Sequence, residues 1–406
     1  MKSLPVLIIS AFILLSGCSK DTPSGPKEPK PVNLTEKTRQ VIAVSNGFGV
    51  NLFRETAISA EGNLMLSPLS ATAALSMLLN GCESGTYTQI RDMLGYQELT
   101  MEEINETYQN LSEQLLSLDP EIQLALANAV WYRQGFEVKS PFLTNLQDAY
   151  DARSESLDFA DPAALTTINN WAKDNTNGKI PMVLEQIDAD AVMFLMNALY
   201  FKGTWTYQFD KSETGPVPFK PETGSAVNVE MMKGNFPFKV YADNSCTAIE
   251  MNYGQQNFAM DIIIPNGMLS GYLNGFTGES WQAITEGLDA IANPEKLEIT
   301  IPKFKFEYEK YLNDQLKSLG MTDAFDPSLA DLSGISDADI YVSFVKQNTF
   351  VDMNEEGTEA AAVTTVGIVE TSAPMPVIVD KPFIFAIRER LSNTLLFIGK
   401  VEMPVY

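Results

Sequence analysis

The spacing of apolar residues changes along this chain, and that change is the strongest constraint on its fold. In residues 104–118 the apolar positions lie four, three, four and three residues apart, which places them on one face of a helix. Ser67 and Pro68 open a second such face as an N-cap and a favoured first helical residue. Residues 297–301 and 304–308 instead alternate apolar and polar side chains, as half-buried strands do. Early helices and late strands together predict an α+β fold.

The amino terminus reads as an export signal. Lys2 precedes an apolar run over residues 4–15, which is typical of a signal peptide and too short to span a bilayer. The run ends in Leu15-Ser16-Gly17-Cys18, which is similar to a bacterial lipobox. We therefore expect residues 1–17 to be removed and Cys18 to be lipidated. An ordinary signal peptide with an incidental cysteine is the alternative.

The rest of the chain divides into a tether and one domain. Residues 18–35 are rich in Pro, Ser, Gly and Lys near their start, which predicts a flexible tether. Residues 36–406 contain no repeat and no second linker, so we expect a single domain. The predicted location is the outer membrane or cell surface of a bacterium, with the lipid anchor as the membrane contact.

Composition excludes several classes of function. The net charge is -24 and the chain has no histidine. Such a charge repels phosphate backbones, so no nucleic-acid partner is expected. Without histidine, Ser-His-Asp and Cys-His catalysis and the common two-His zinc sites cannot form, so we expect neither an enzyme nor a metal or other cofactor. Cys82 and Cys246 are predicted to be packed thiols, although one bridge between them stays possible.

Ten sequence blocks, in a fixed order and spacing, resemble those of the serpin family. The block at residues 196–205 is highly specific, and the one at residues 354–362 is close to diagnostic of the family's hinge. The resemblance extends from residue 63 to residue 404. The blocks are residues 63–70, 168–171, 176–180, 196–205, 301–304, 319–325, 332–335, 354–362, 380–385 and 396–401.

The resemblance implies a serpin-like fold of three β-sheets and about nine helices, with an exposed reactive-centre loop. In this family a target protease cleaves the loop, which then enters the central sheet as a new strand and traps the covalently attached protease. The implied function is inhibition of serine-type endopeptidases, with cysteine endopeptidases as a second class. A monomer is expected, without a catalytic residue of its own. The alternative is a non-inhibitory member that binds a partner and is only cleaved as a substrate.

The hinge sequence is suited to insertion. A strand that enters a sheet buries alternate side chains, so the buried set should be small and uncharged near the point of insertion. Glu356 and Gly357 open the hinge, and Glu359 lies on the face opposite the buried set. Ala361 is the middle one of three consecutive alanines. The expected buried set is Thr358, Ala360, Ala362, Thr364, Val366 and Ile368.

The family's loop register places the cleaved bond between Thr371 and Ser372. Gly357 and Pro382 are 25 positions apart (382 minus 357), which matches inhibitory members. Cleavage after Val369 or Glu370 is the alternative. A β-branched residue before the cut favours elastase-like or subtilisin-like proteases over trypsin-like ones.

The resemblance also identifies residues that control the parting of the central sheet. Ser67, Ser70 and Asn197 match the polar cluster called the shutter, and Trp205 matches the aromatic residue of the breach, where insertion begins. Gln347 stands where the family usually has histidine, so no histidine-linked pH dependence is expected. We expect the shutter side chains to be hydrogen-bonded to one another. Residues 101–119 contain no Lys or Arg, so no heparin partner is expected.

Overall fold

The computed structural model describes residues 28–359 and 376–406. Within them lie nine α-helices, in agreement with the predicted number. They are α1 Glu36–Ser59, α2 Pro68–Leu79, α3 Ser84–Leu94, α4 Met101–Ser117, α5 Ser140–Tyr150, α6 Pro162–Asn175, α7 Leu269–Gly275, α8 Gly278–Asp289 and α9 Asn313–Ser318. Short 3-10 turns occur at Lys211–Glu213 and Asp323–Phe325.

The same residues form sixteen strands. They are β1 Leu64–Leu66, β2 Ile122–Arg133, β3 Arg153–Leu157, β4 Met193–Thr204, β5 Gly215–Phe219, β6 Val227–Pro237, β7 Lys239–Ala242, β8 Cys246–Asn252, β9 Phe258–Pro265, β10 Lys296–Pro302, β11 Phe304–Tyr311, β12 Lys346–Asn354, β13 Gly357–Thr358, β14 Val377–Ile378, β15 Phe383–Glu389 and β16 Thr394–Val401.

These strands build three sheets, as the α+β prediction requires. Sheet A has the order β11-β12-β13-β4-β2-β3, sheet B the order β1-β16-β15-β9-β8-β7, and sheet C the order β14-β10-β6-β5. Sheet B is the centre of the core, because every residue of β9, β15 and β16 is buried. Helix α6 lies against β2 and β4 of sheet A, where Trp171 packs edge-on against Trp131. The predicted fold class is confirmed.

Local sequence signals account for the helices predicted from spacing. Ser67 caps α2 by accepting a hydrogen bond from the Ser70 N–H, and Pro68 occupies the first helical position. Helix α4 begins with a capping box between Thr100 and Glu103, which satisfies free N–H groups at both ends of the turn. Its predicted apolar face is buried at Ile104, Leu111 and Leu115. Both predicted strands form, as β10 and β11; burial alternates along β11, whereas Thr300 of β10 is buried together with Ile299 and Ile301.

Residues that precede helix α1 contact the domain. The side-chain amide of Asn257 accepts a hydrogen bond from the Lys30 N–H and donates one to the Lys30 carbonyl, both at 2.8 Å. The Asn33 N–H donates to Gln114 at 2.8 Å, and Leu34 packs against the core. Residues 30–35 of the predicted tether are thus held against the domain, because the side chains of Asn257 and Gln114 bond to the backbone of Lys30 and Asn33. Within the described residues, the helices are all too short or too polar to cross a bilayer.

Sheet B contains a buried ionic cluster around Arg388. Its guanidinium donates to Asp261 at 2.8 Å and to Glu250 at 2.6 Å, and all three side chains are fully buried. Burial raises the pKa of Asp261 to about 6, because desolvation of the carboxylate outweighs the attraction of Arg388. Burial also opposes ionisation of Glu250, but Arg388 and Arg390 lower its pKa.

Both cysteines of the domain are free and buried, as predicted. The Cys82 thiol donates to the Leu78 carbonyl at 3.2 Å, and burial raises the pKa of this thiol. A bridge between Cys82 and Cys246 is therefore not formed.

Candidate functional site

The hinge already lies within sheet A. Gly357 and Thr358 form β13, which pairs with β12 on one side and with β4 on the other. Gly357 has φ +147°, and a Cβ at this position would overlap the Gly203 carbonyl of β4. Only glycine fits there, because the backbones of the hinge and β4 approach too closely for a side chain.

Beyond Thr358 the two neighbouring strands separate. Strands β4 and β12 meet only through β13 in the described part of sheet A. The space between them is a cleft of about 490 Å³. Its walls include Leu195 and Asn197 from β4, Gln347 from β12, and Val345, which directly precedes β12.

An aromatic pair holds the inserted end of the hinge. The Trp205 and Tyr253 rings stack with centroids 4.3 Å apart. The Tyr253 hydroxyl lies 2.7 Å from the Thr358 hydroxyl, and the Trp205 indole N–H donates to the Asn354 carbonyl at 2.8 Å. Burial raises the pKa of Tyr253 well above its usual range, so the hydroxyl stays protonated. The structure thus places the predicted breach residue Trp205 beside the predicted hinge.

The two acidic residues before the hinge are both paired with lysines. Glu355 contacts Lys303 at 3.1 Å and accepts a hydrogen bond from the Thr214 hydroxyl at 2.9 Å. Although burial opposes ionisation, hydrogen bonds from its own backbone, Thr214 and Lys303 lower the pKa of Glu355. Glu356 forms an ion pair with Lys211. These contacts fix the turn that leads into β13.

The strand stops at Glu359. This residue has φ +61°, a left-handed conformation that is uncommon for a residue with a side chain. Its carboxylate accepts a hydrogen bond from the Tyr200 hydroxyl at 2.9 Å and lies 3.3 Å from the Lys179 ammonium. Asn177 donates to the same Tyr200 hydroxyl at 3.1 Å. Burial raises the pKa of Tyr200 to about 12.

Three of the predicted shutter residues meet on one side of the cleft. The Gln347 amide accepts from the Ser67 N–H at 3.2 Å and donates to the Ser67 carbonyl at 2.8 Å. The Ser67 hydroxyl donates to the Leu396 carbonyl at 2.9 Å and accepts from the Ser70 N–H at 3.2 Å. Gln347 therefore ties strand β12 to the start of helix α2 through two bonds.

Asn197 lies on the opposite wall and is not bonded to that group. Its amide donates to Asn128 at 2.7 Å, and Asn128 in turn donates to the Tyr150 carbonyl at 2.7 Å. Among the described residues, the Asn197 side-chain oxygen has no hydrogen-bond partner although it is buried. The expectation of one mutually bonded cluster is wrong, because the cleft separates Asn197 from Ser67 and Gln347.

Several predicted site residues lie outside the described residues, so their predictions stand as made. They are Cys18, Ala360, Ala361, Ala362, Thr364, Val366, Ile368, Val369, Glu370, Thr371 and Ser372. Conversely, sequence reasoning missed Tyr253, Tyr200 and Lys179 as contacts of the hinge. Lys179 lies in a block that carried the resemblance, but no sequence signal joins it to Glu359. Tyr253 lies outside every block.

Comparisons with known proteins agree with this geometry. A model of the family described as Serpin (serine protease inhibitor) matches residues 43–404. An uncharacterized serpin-like protein of Methanosarcina acetivorans is 31% identical and covers 98% of both chains. A leukocyte elastase inhibitor of Sus scrofa is 34% identical, over 90% of this chain and 100% of that protein.

Solved structures give the same result for the fold. The native state of the thermophilic serpin tengpin superposes with a TM-score of 0.81 at 32% identity, over 94% of this chain and 97% of that chain. Sequence family, sheet order and hinge geometry all agree, and the chain belongs to the serpin family.

Proposed function

We propose that this serpin inhibits serine-type endopeptidases by loop cleavage, strand insertion and covalent trapping, with elastase-like or subtilisin-like proteases as targets. Relatives named as leukocyte elastase inhibitors support that choice of target. In the reaction the protease's serine oxygen attacks the carbonyl carbon of Thr371, and the Thr371–Ser372 bond breaks. The Ser372 nitrogen takes up a proton and leaves. The ester that remains joins Thr371 to the protease while the loop inserts.

One observation carries the proposal: the loop sequence is complementary to the cleft when β13 is extended in its own register. Thr358 pairs with Gly203 and Met353. Both neighbours, β4 and β12, run antiparallel to β13. Thr364, six residues after Thr358, therefore falls between Asn197 of β4 and Gln347 of β12, which lie six residues before Gly203 and Met353. Both wall residues are polar, and a threonine hydroxyl can donate to the Asn197 oxygen, which has no partner among the described residues.

The apolar members of the loop match as well. In the same register Ala360 falls between Phe201 and Val351, whose side chains belong to the core. Val366 falls between Leu195 and Val345, which also contact the core. Thr364 would thus enter between polar wall residues, and Ala360 and Val366 between apolar ones. Insertion would also pair the strand edges of β4 and β12 that face the cleft.

The lipid anchor belongs to the same proposal. Cys18 and Lys30, the first residue held by Asn257, are 12 positions apart (30 minus 18). An extended chain of that length reaches about 40 Å. The inhibitor is therefore exported and held close to the outer membrane or cell surface, with its domain free of the bilayer.

The test combines thermal melting with a gel assay. Cleavage of the loop should raise the melting temperature sharply, and a screen of serine proteases should give complexes that survive SDS. Thr358→Arg should abolish the complexes but allow cleavage, because an unpaired guanidinium cannot replace the buried hydroxyl beside Tyr253. Thr358→Ser, which keeps the hydroxyl, is the control. Cleavage without any rise in melting temperature would instead support a non-inhibitory binding protein.

A further inference from the structure

Glu359 marks the residue at which insertion halts in the uncleaved protein. Continued by one residue, β13 would place Glu359 between Asp352 of β12 and Lys202 of β4. The Glu359 N–H still donates to the Asp352 carbonyl at 3.1 Å, but the residue then adopts the left-handed conformation and leaves the strand path. This conformation is costly for a residue with a Cβ, so other contacts must hold it.

Those contacts come from Tyr200 on β4 and from one segment that follows helix α6. Lys179 lies 3.3 Å from the Glu359 carboxylate, whose side chain is only 5% exposed, and its ammonium also lies 4.8 Å from the Phe350 ring centre. Asn177 fixes the Tyr200 hydroxyl that donates to the same carboxylate. A nearly buried carboxylate with a matched cation and a hydroxyl donor is a charge-assisted arrangement, stronger than a neutral hydrogen bond.

The same segment crosses the cleft. Asn177 is bonded to Tyr200 on β4, whereas further along the chain the Val183 carbonyl accepts from Lys346 on β12 at 3.1 Å. Thr176, Ile180, Val183 and Leu184 line the cleft between these two points. A strand that enters beyond Thr358 must therefore pass beneath this segment, and Glu359 is tied directly to it.

We propose that Glu359 is a positioning residue that, through Lys179 and Tyr200, halts the uncleaved hinge at Thr358. The inference rests on the proposed insertion mechanism. Release of the Glu359 carboxylate from Lys179 is the first step of further insertion, and the carboxylate then moves along the outer face of sheet A towards Lys202. The segment over the cleft loses its tie to the hinge in the same step, while Asn177 and Val183 still hold it to β4 and β12.

The test measures how fast the uncleaved loop inserts by itself. The wild type, Glu359→Gln and Lys179→Met are held below their melting temperatures, and insertion is followed by loss of loop cleavage and gain of thermal stability. Glu359→Gln keeps a side-chain oxygen that can accept from Tyr200 and keeps the same backbone strain, but it removes the negative charge. Both variants should insert about 5-fold to 30-fold faster, as loss of one buried charged contact predicts.

Three controls separate positioning from a general structural defect. The double variant should insert no faster than either single one, and Lys179→Arg should restore the wild-type rate. The loop-cleaved forms of Glu359→Gln and Lys179→Met should melt like the cleaved wild type.

The outcomes distinguish this inference from the proposed function. If wild-type protein gains no stability on loop cleavage, the insertion mechanism itself is wrong. If it does gain stability, but Glu359→Gln and Lys179→Met insert at the wild-type rate, the mechanism stands and the role of Glu359 is refuted. The positioning role is also refuted if Glu359→Gln and Lys179→Met lose the same stability in the cleaved and the uncleaved form, because a contact that only supports the fold would stabilise both forms.

Discussion

Thr364 gives the sharpest test of the register in which the loop enters sheet A. Extension of β13 places Thr364 between Asn197 and Gln347, with its hydroxyl within reach of the buried, unpaired Asn197 oxygen. Thr364→Val keeps the shape of the side chain and removes the donor. The next residue, Thr365, falls on the opposite face of the strand. Thr365→Val is therefore a matched control for β propensity and loop composition.

The expected effect follows from the cost of a buried polar group without a partner. Loss of the hydroxyl leaves the Asn197 oxygen unsatisfied in the cleaved form and should destabilise it by about 1–3 kcal/mol. With an unfolding entropy of about 2.1 cal/mol/K per residue, this corresponds to a drop of about 1–4 °C in Tm for a domain of this size. Thr365→Val should stay within about 0.5 kcal/mol of the wild type.

The assay is calorimetry or guanidinium unfolding of the loop-cleaved proteins, with the uncleaved proteins as reference. The effect of Thr364→Val should be confined to the cleaved form, because only insertion brings the residue to Asn197. Equal changes for Thr364→Val and Thr365→Val, or a stabilised Thr364→Val, would show that the strand does not enter in the register of β13. The inhibitory mechanism could then still operate in another register.

Three further predictions concern specificity, location and pH. Thr371→Arg should create inhibition of trypsin-like proteases and weaken inhibition of elastase-like ones. Mass spectrometry of the wild-type reaction should find a released peptide that begins at Ser372. A peptide that begins at Glu370 or Thr371 would contradict the predicted cleavage position. Cys18→Ala should remove the protein from the membrane fraction, so unchanged fractionation would contradict lipidation. Asp261 has a raised pKa of about 6 in the folded state, against about 3.9 unfolded, so its contribution to stability should fall by up to about 3 kcal/mol as pH rises from 4 to 6. Subtraction of Asp261→Asn unfolding curves from those of the wild type isolates this term, and a flat difference would refute it.

Local features were predictable from the sequence, whereas contacts between distant segments were not. The Ser67 cap of α2 and the apolar face of α4 depend on neighbours within a few residues, so spacing alone identified them. The contact of Thr358 with Tyr253 joins residues 105 positions apart, and that of Lys30 with Asn257 joins residues 227 apart. Such pairs depend on how sheets and helices are placed relative to one another, which periodicity does not encode.

Asn197 shows the limit most clearly. The family resemblance assigned it to the region where the strands part, and in the structure it lines the cleft. Its hydrogen-bond partner, however, depends on which wall of the cleft carries which side chain. Asn128 became that partner because β2 and β4 pair with Asn128 directly opposite Asn197. This register is a property of the assembled sheet.

The cleft of sheet A bears on self-association when many molecules of this protein are close together. Strand edges without a partner pair with any extended segment of suitable pattern, and the loop of a neighbouring molecule has the same sequence as the molecule's own. A net charge of -24 makes every such neighbour repellent at distances up to the Debye length of about 8 Å at physiological salt. The acidic composition thus gives the molecule colloidal protection, and copies anchored side by side at a surface would depend on it most.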